Sequence, residues 1–265
     1  MELVILTYRE DLHLCRWQLK SIGKYLEPCT VHIIVNEENT MYAEEFLKTE
    51  IQTLKHTVIF WSRTKIIGNY TNNRGGWITQ QVLKLLIPTT GDYIVLDCKD
   101  IFLRKTSMND IAKEQRKRQP DALVSKTWKV FAERLTQRLL STYPGVQIDF
   151  NKVRGIQTPR FITKEMQNKI IEIWGGKKNF VEWFFHIDMP SEFILYDSLR
   201  LYNNCMPEIY FDESEIVGIW NEDNFKVYNF EKVSKKTRII KLHRRLFKNK
   251  KIAKRLNKWL TEKLD

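Results

Sequence analysis

The sequence predicts an α/β fold: a mostly parallel sheet flanked by helices, with an elaborated helical C-terminal half. Three observations predict it. Four short, nearly continuous apolar runs fall within the first hundred residues, the pattern of strands buried on both faces of a parallel sheet. Stretches of helical periodicity separate them, and alternation of this kind makes neighbouring strands parallel. Each run then stops abruptly in polar residues, at the strand ends where open α/β sheets bind ligands.

The elements follow in order. Residues 2–6 form a first strand ending in Thr7-Tyr8-Arg9-Glu10-Asp11. Leu12, Leu14, Leu19, Ile22 and Leu26 recur at roughly helical spacing until Pro28 stops them. Residues 30–39 give a second strand ending in Asn36-Glu37-Glu38, residues 43–54 a helix, and residues 56–62 a third strand. A polar, glycine-containing loop is expected over 63–76, then a helix from Trp77 to Leu86 closed by Pro88 and Gly91. The fourth strand, Tyr93 to Leu96, runs into Asp97-Cys98-Lys99-Asp100 and then into a second apolar run, Ile101 to Leu103.

Beyond residue 105 the pattern changes. A charged helix is expected over 107–119, a strand over 121–128 and a helix over 133–143. Residues 158–174 read as a loop leading into a helix, with Thr163 ahead of Met166 and Gln167 as its start. Residues 181–204 are aromatic-rich and mostly helical, 215–230 a short-strand region, and 245–264 an amphipathic helix with one leucine-rich stripe.

The chain has 265 residues, enough for a sizeable core. Neither a repeat nor a linker interrupts it, so one domain is expected: a ligand-binding half (1–105), an acceptor-side half (106–225) and a basic segment (226–265). No apolar stretch approaches the ~20 residues of a membrane span, and the first residues read as a strand rather than a signal peptide. Cys15, Cys29, Cys98 and Cys205 lie far apart, which suggests neither a zinc site nor a disulfide framework, and a reducing cytoplasm. Charge is uneven. From residue 226 onward there are fifteen Lys/Arg against three Asp/Glu, which equals the +12 of the whole chain. Such a segment either seeks phosphate or is a solvated helix face.

At the fourth strand end, Asp97 and Asp100 stand where an apolar context needs no charge. Carboxylates at this spacing hold a hard divalent cation that bridges phosphates, or serve as turn and cap residues. In order along the chain stand Thr7-x-x-x-Asp11, Ser21-Ile22, His32 with Ile34-Val35, Gly76-Trp77-x-x-Gln80-Gln81-x-x-Lys84 and Leu96-Asp97-Cys98-Lys99-Asp100-Ile101-Phe102-Leu103. Then come Thr158-Pro159, Ser191-Glu192-Phe193, Leu195-Tyr196 and, from Ile239, His243-Arg244-Arg245. In this order and over nearly the whole chain, the sequence resembles the GT-A (Rossmann-like) class of nucleotide-sugar glycosyltransferases. More narrowly, it resembles a family of glycosyltransferase-like proteins found in bacteria and phages.

The resemblance implies a nucleoside-diphosphate sugar as donor and a divalent metal, Mn or Mg, held by Asp97, Asp100 and His243. Donor contacts are expected from Thr7, Tyr8, Arg9, Asp11, Asn36, Gln80, Gln81, Lys84, Lys99, Arg244 and Arg245. Asp11 reads equally as a helix cap, and Gln80, Gln81 and Lys84 equally as a solvated helix face. Glu192 or Asp188 would be the base for an acceptor hydroxyl, Glu192 reading also as a first-turn carboxylate favoured by the helix dipole. The sequence departs from the family at position 99: Lys99 stands where a second carboxylate is expected, with Asp100 one residue later. Three readings stay open: Asp97 and Asp100 hold the metal across the turn, which is the expectation; Lys99 itself neutralises the diphosphate without a metal; or donor binding is lost. Residues 235–258 suggest a polyanionic partner. A hydroxymethylated base in phage DNA is the favoured acceptor, with cell-surface polysaccharide or lipopolysaccharide as the alternative. A non-catalytic nucleic-acid-binding protein on a degenerate transferase fold is the competing class.

Overall fold

The computed structural model describes residues 1–70, 75–108, 126–142, 158–188, 190–202, 216–228, 230 and 237–265. Strands β1 (Glu2–Thr7), β2 (Thr30–Val35), β3 (Thr57–Ser62) and β4 (Tyr93–Asp97) are parallel. A short β5 (Asp100–Phe102) follows β4, and β6 (Arg160–Ile162) pairs antiparallel with β4. The main sheet runs β3-β2-β1-β4-β6. A second sheet joins β5 antiparallel to β8 (Ile239–Leu242), which pairs in parallel with β7 (Ile216–Ile219).

The strands lack polar alternation because both faces of the sheet are covered. Leu3, Ile5, Val31 and Ile33 pack on one face with α1 (Leu12–Tyr25), α2 (Met41–Gln52) and the last helix, α10 (Lys250–Leu264). Val4, Leu6, Ile34 and Val95 point to the other. There they meet α4 (Gly76–Leu86), α5 (Lys126–Thr142), α6 (Lys164–Ile173), α7 (Lys177–His186) and α8 (Glu192–Tyr202). No described helix is long and apolar enough to cross a membrane.

Several expectations are corrected. The loop expected from residue 63 begins with the short helix α3 (Arg63–Ile67). The Ser62 side chain caps it by accepting from Lys65 N–H, and Ile66 and Ile67 are buried. Residues 126–128, expected as the end of a strand, open α5. Their β-branched and aromatic content favoured a strand, but the face carrying Phe131, Leu135 and Leu139 repeats at helical spacing and is buried. The expected loop before α6 contains β6, three residues that extend the sheet by antiparallel pairing. Among the described residues of the expected short-strand region, only β7 is a strand. Asn221 then caps α9 (Glu222–Val227) by accepting from Asn224 N–H. The helix expected over 107–119 lies outside the described residues from 109 onward. Thr163 does cap α6, accepting from Met166 N–H.

The basic C-terminal helix is part of the core as well as the surface. Ile252, Leu256, Leu260 and Leu264 are buried, while Lys250, Lys251, Lys254, Arg255 and Lys258 face solvent. Its last turn is received by α1: Lys24 Nζ and Tyr25 OH donate to Lys263 O at 2.9 and 3.1 Å, and Lys20 pairs with Asp265. Cations here also complement the negative end of the helix dipole.

The turn that follows β4 is held from below by one side chain. Gln18, fully buried on α1, donates through Nε2 to Asp97 O at 2.7 Å and to Asp100 O at 3.0 Å. Three substitutions test these supports. Gln18→Leu should cost about 2 kcal/mol or more by urea unfolding, because two carbonyls lose their donor. Leu260→Ala should cost about 3 kcal/mol, whereas Lys254→Ala should stay within about 0.5 kcal/mol. Equal effects at Leu260 and Lys254 would mean that α10 is not packed as described.

Candidate active site

Strand order reverses at β1. The chain steps outward through β2 and β3, then returns to place β4 on the other side of β1. Crevices form beyond the carboxyl ends of strands at such a reversal, and one is present here. A cleft of about 400 Å³ is lined by Tyr8 and the following turn (Glu10, Asp11), by the start of α4 (Gly76, Trp77, Gln80) and by the β4–β5 turn (Asp97, Cys98, Lys99). The turn after β8 (His243, Arg244) completes it.

The opening of α4 explains why glycine precedes Trp77. Gly75 has φ +100°, a conformation disfavoured for side-chain-bearing residues. A Cβ on Gly76 would sit 3.2 Å from the Tyr8 ring and 3.3 Å from the Asn36 amide. That close approach lets Tyr8 OH and Asn36 Nδ2 both donate to Gly76 O at 2.9 Å, which docks α4 on the ends of β1 and β2. Burial pushes the Tyr8 phenol up to about 12, so it remains a donor.

Charge is concentrated around the β4–β5 turn. Lys84, buried on α4, lies 2.9 Å from Glu192 Oε1 and 3.4 Å from Asp97 Oδ1. Lys99 Nζ lies 3.1 Å from Asp97 Oδ2, and Lys241 Nζ 3.6 Å from Asp100 Oδ1. Asp100 Oδ2 accepts from Asp97 N–H at 3.0 Å. Thr158 hydroxyl donates to Asp97 Oδ2 at 3.2 Å, and Lys241 Nζ donates to Thr158 O. Burial alone would raise the Asp97 carboxyl. Lys84, Lys99 and Lys241 outweigh it and hold the group well below the usual carboxylate range. Burial lowers Lys84, but Asp97 and Glu192 together hold it above its ordinary value, so it stays charged.

These residues do not fit the divalent cation that the resemblance implies. Asp100 is fully buried and committed to Lys241 and to the Asp97 N–H. Asp97 already has two ammonium partners. His243 Nδ1 accepts from Arg245 N–H at 3.2 Å, capping the 3-10 turn Arg244–Lys248. The ring proton therefore sits on Nε2, which then lacks the lone pair a metal needs. Burial, followed by Lys99, Arg245 and Arg244, holds His243 below its ordinary value and hence neutral. Among the described residues no group of three or more His, Cys, Asp or Glu is placed to hold a metal ion.

The other expected residues separate into two sets. Tyr8, Asp11, Gln80, Asp97, Lys99, His243 and Arg244 line the cleft. Asp11 stands at the N-cap position of α1 but makes no side-chain cap bond. Its Oδ1 is buried with no hydrogen-bond partner, and Arg244 lies 3.8 Å away. Burial raises this carboxyl, with Arg244 opposing. Thr7 and Asn36 are buried supports, and Gln81 lies buried beside Glu192. The Arg9 guanidinium stacks on the Tyr42 ring at 4.1 Å, and Arg245 is exposed outside the cleft. Neither carboxylate expected as a base reaches the cleft. Glu192 is buried against Lys84, and Asp188 is exposed and paired with Arg134 at 3.0 Å. Sequence reasoning missed Gln18, Lys241 and Trp220, whose ring lies 5.4 Å from Lys99 Nζ and 5.9 Å from the His243 ring. A lysine inside the apolar run Ile239–Leu242 was the available signal for one of them.

No family model and no curated protein sequence matches the chain. Solved structures do. Mouse xyloside xylosyltransferase 1 in its apo form is 12% identical, with a TM-score of 0.43 over 91% of this chain and 97% of that one. The apo bifunctional glycosyltransferase WbbM is 10% identical, with a TM-score of 0.54 over 91% of this chain, which spans under half (45%) of the WbbM chain. At these identities the likeness is one of fold, and the second of the two carries it. With a mostly parallel sheet, helices on both faces and a cleft at the strand-order reversal, the fold is that of the GT-A-type glycosyltransferases.

Proposed function

We propose that the protein is a glycosyltransferase that moves a sugar from a nucleoside-diphosphate sugar to a hydroxyl acceptor. One observation carries this reading. A cleft of about 400 Å³ at the β1/β4 reversal brings an ionised carboxylate (Asp97), an ammonium (Lys99) and a guanidinium (Arg244) to an unbonded buried carboxylate oxygen (Asp11 Oδ1). The volume lies within the range of small-ligand sites, and the set supplies both acceptors for hydroxyls and cations for phosphate.

The roles follow from position. Asp11 Oδ1 accepts from the nucleoside part of the donor, beside β1. Asp97, held ionised, accepts from sugar hydroxyls. Lys99, Arg244 and the Nε2–H of neutral His243 face the diphosphate. In the reaction the bond between the anomeric carbon and the diphosphate oxygen breaks, its electron pair stays on the diphosphate, and the acceptor oxygen bonds the anomeric carbon while its proton leaves to solvent. The developing charge on the diphosphate is what fixed donors in a partly buried site stabilise.

The acceptor we propose is a hydroxyl on a polyanion, with hydroxymethylated DNA the first to test and anionic polysaccharide its competitor. The exposed cations Lys250, Lys251, Lys254, Arg255 and Lys258 on α10 support this reading, since such a row attracts phosphate or carboxylate chains with strong salt dependence.

A panel of nucleotide sugars, tested by thermal shift with and without Mn²⁺, checks the donor. A true donor at about 100 times its Kd stabilises by about 2.7 kcal/mol, a rise of roughly 5–10 °C for a chain of this size. A panel that produces no rise under either condition defeats the reading. Asp11→Asn should weaken nucleoside diphosphate binding about tenfold with little change in the unfolding midpoint, because Asp11 makes no cap bond to lose. Donor affinity should also be flat between about pH 5 and 8 as far as Asp97 is concerned. Its folded-state value is depressed, so its charge is lost only as pH falls below the ordinary carboxylate range. A midpoint near pH 6 that disappears in Asp97→Asn would contradict that role.

A further inference from the structure

The end of β4 is where a divalent cation is expected, yet charge there is already balanced. Three carboxylates, Asp97, Asp100 and Glu192, each have an ammonium within 3.6 Å: Lys99 and Lys84 at Asp97, Lys241 at Asp100, Lys84 at Glu192. The cluster sums to zero, and Asp100 and Glu192 are closed off from solvent. A divalent ion would have to displace an ammonium from Asp97 and would leave an excess of two positive charges in a buried site, where isolated charge is costly. Of the three carboxylates in this cluster it would also find only Asp97 open to the cleft, where a hard cation needs about six oxygen ligands.

Of the cluster's three lysines, the same geometry leaves one at the mouth. The Lys99 side chain is 26% exposed, lines the cleft, and is tethered on one side by Asp97 and on the other by the Trp220 ring at 5.4 Å. Lys84 and Lys241 are buried behind it. Arg244 enters the same cleft from the turn after β8, its guanidinium 2.6 Å from the exposed Glu10 carboxylate and 3.8 Å from Asp11. We infer that Lys99 stands in place of the metal: its ammonium, with the Arg244 guanidinium, binds the donor diphosphate directly, and transfer needs no divalent ion. This rests on the donor-binding reading of the cleft. When the anomeric carbon–oxygen bond breaks, the electron pair remains on the diphosphate oxygen. Lys99 stabilises it by hydrogen bonding without surrendering its proton, so no metal and no further reactant enters the balance.

Calorimetric titration of the full chain with UDP, GDP, CDP and dTDP, first in EDTA and then in Mn²⁺ or Mg²⁺, tests it. At least one nucleotide should bind in EDTA, with affinity changed less than about twofold by metal. Lys99→Ala should weaken that binding by about tenfold or more, and Lys99→Arg should restore most of it. Unfolding midpoints of both variants exclude a folding defect. Binding that vanishes in EDTA and returns with Mn²⁺ overturns the lysine inference and leaves the donor site intact. Unchanged binding in folded Lys99→Ala also overturns it. If none of the four nucleotides binds in either condition, the donor-site reading fails and this inference fails with it.

Discussion

The alternation of Asp97, Asp100 and Glu192 with Lys84, Lys99 and Lys241, buried except where Asp97 and Lys99 reach the cleft, is the constraint on which the site depends. It draws on four separate parts of the chain: α4 supplies Lys84, the β4–β5 turn both aspartates and Lys99, α8 Glu192, and β8 Lys241. Buried ion pairs seldom add much net stability over apolar packing, but removal of one partner leaves an uncompensated charge and costs several kcal/mol. The cluster therefore acts as a registration device. β4 and β5 can turn as they do only if α4, α8 and β8 arrive in the right places. The cleft wall, the orientation of Asp97 and the position of Lys99 all follow from that requirement.

The N-terminal half was legible because its signals are local. Apolar runs bounded by turn residues specify β1 to β4, and the polar strand ends mark the ligand face before any contact is known. Thr163 could be read as a helix start because a cap acts within three residues. The failures have the opposite character. β6 is three residues long and exists because β4 offers it an unpaired edge. Lys241 sits in an apolar strand and reads as an anomaly until Asp100 is seen across β5. Glu192 reads as a reactive carboxylate because sequence shows its position in the first turn of α8 but not the lysine 108 residues away that neutralises it.

The same distinction separates the two readings of the C-terminal charge. Counting lysines measures how much positive potential a segment carries but not whether it is anchored. Here the answer is both. One stripe of α10 is buried against the α1 side of the sheet while the opposite stripe carries the cations to solvent. The helix is thus held rigidly, and any polyanion that meets it meets a fixed row of charges rather than a tail that can adapt its shape.

The pairing of β8 with β5 also bears on the order in which the chain acquires its structure. All five strands of the main sheet lie before residue 163, so that sheet can assemble while the later chain is still being made. Asp100 cannot be closed over at that stage without stranding a carboxylate, because Lys241 is not yet present. Burial of the β4–β5 turn must wait for residues 239–242. During synthesis, then, the strand residues of the main sheet emerge before the residues that close the cleft, and a chain interrupted before residue 239 would lack Lys241, His243 and Arg244.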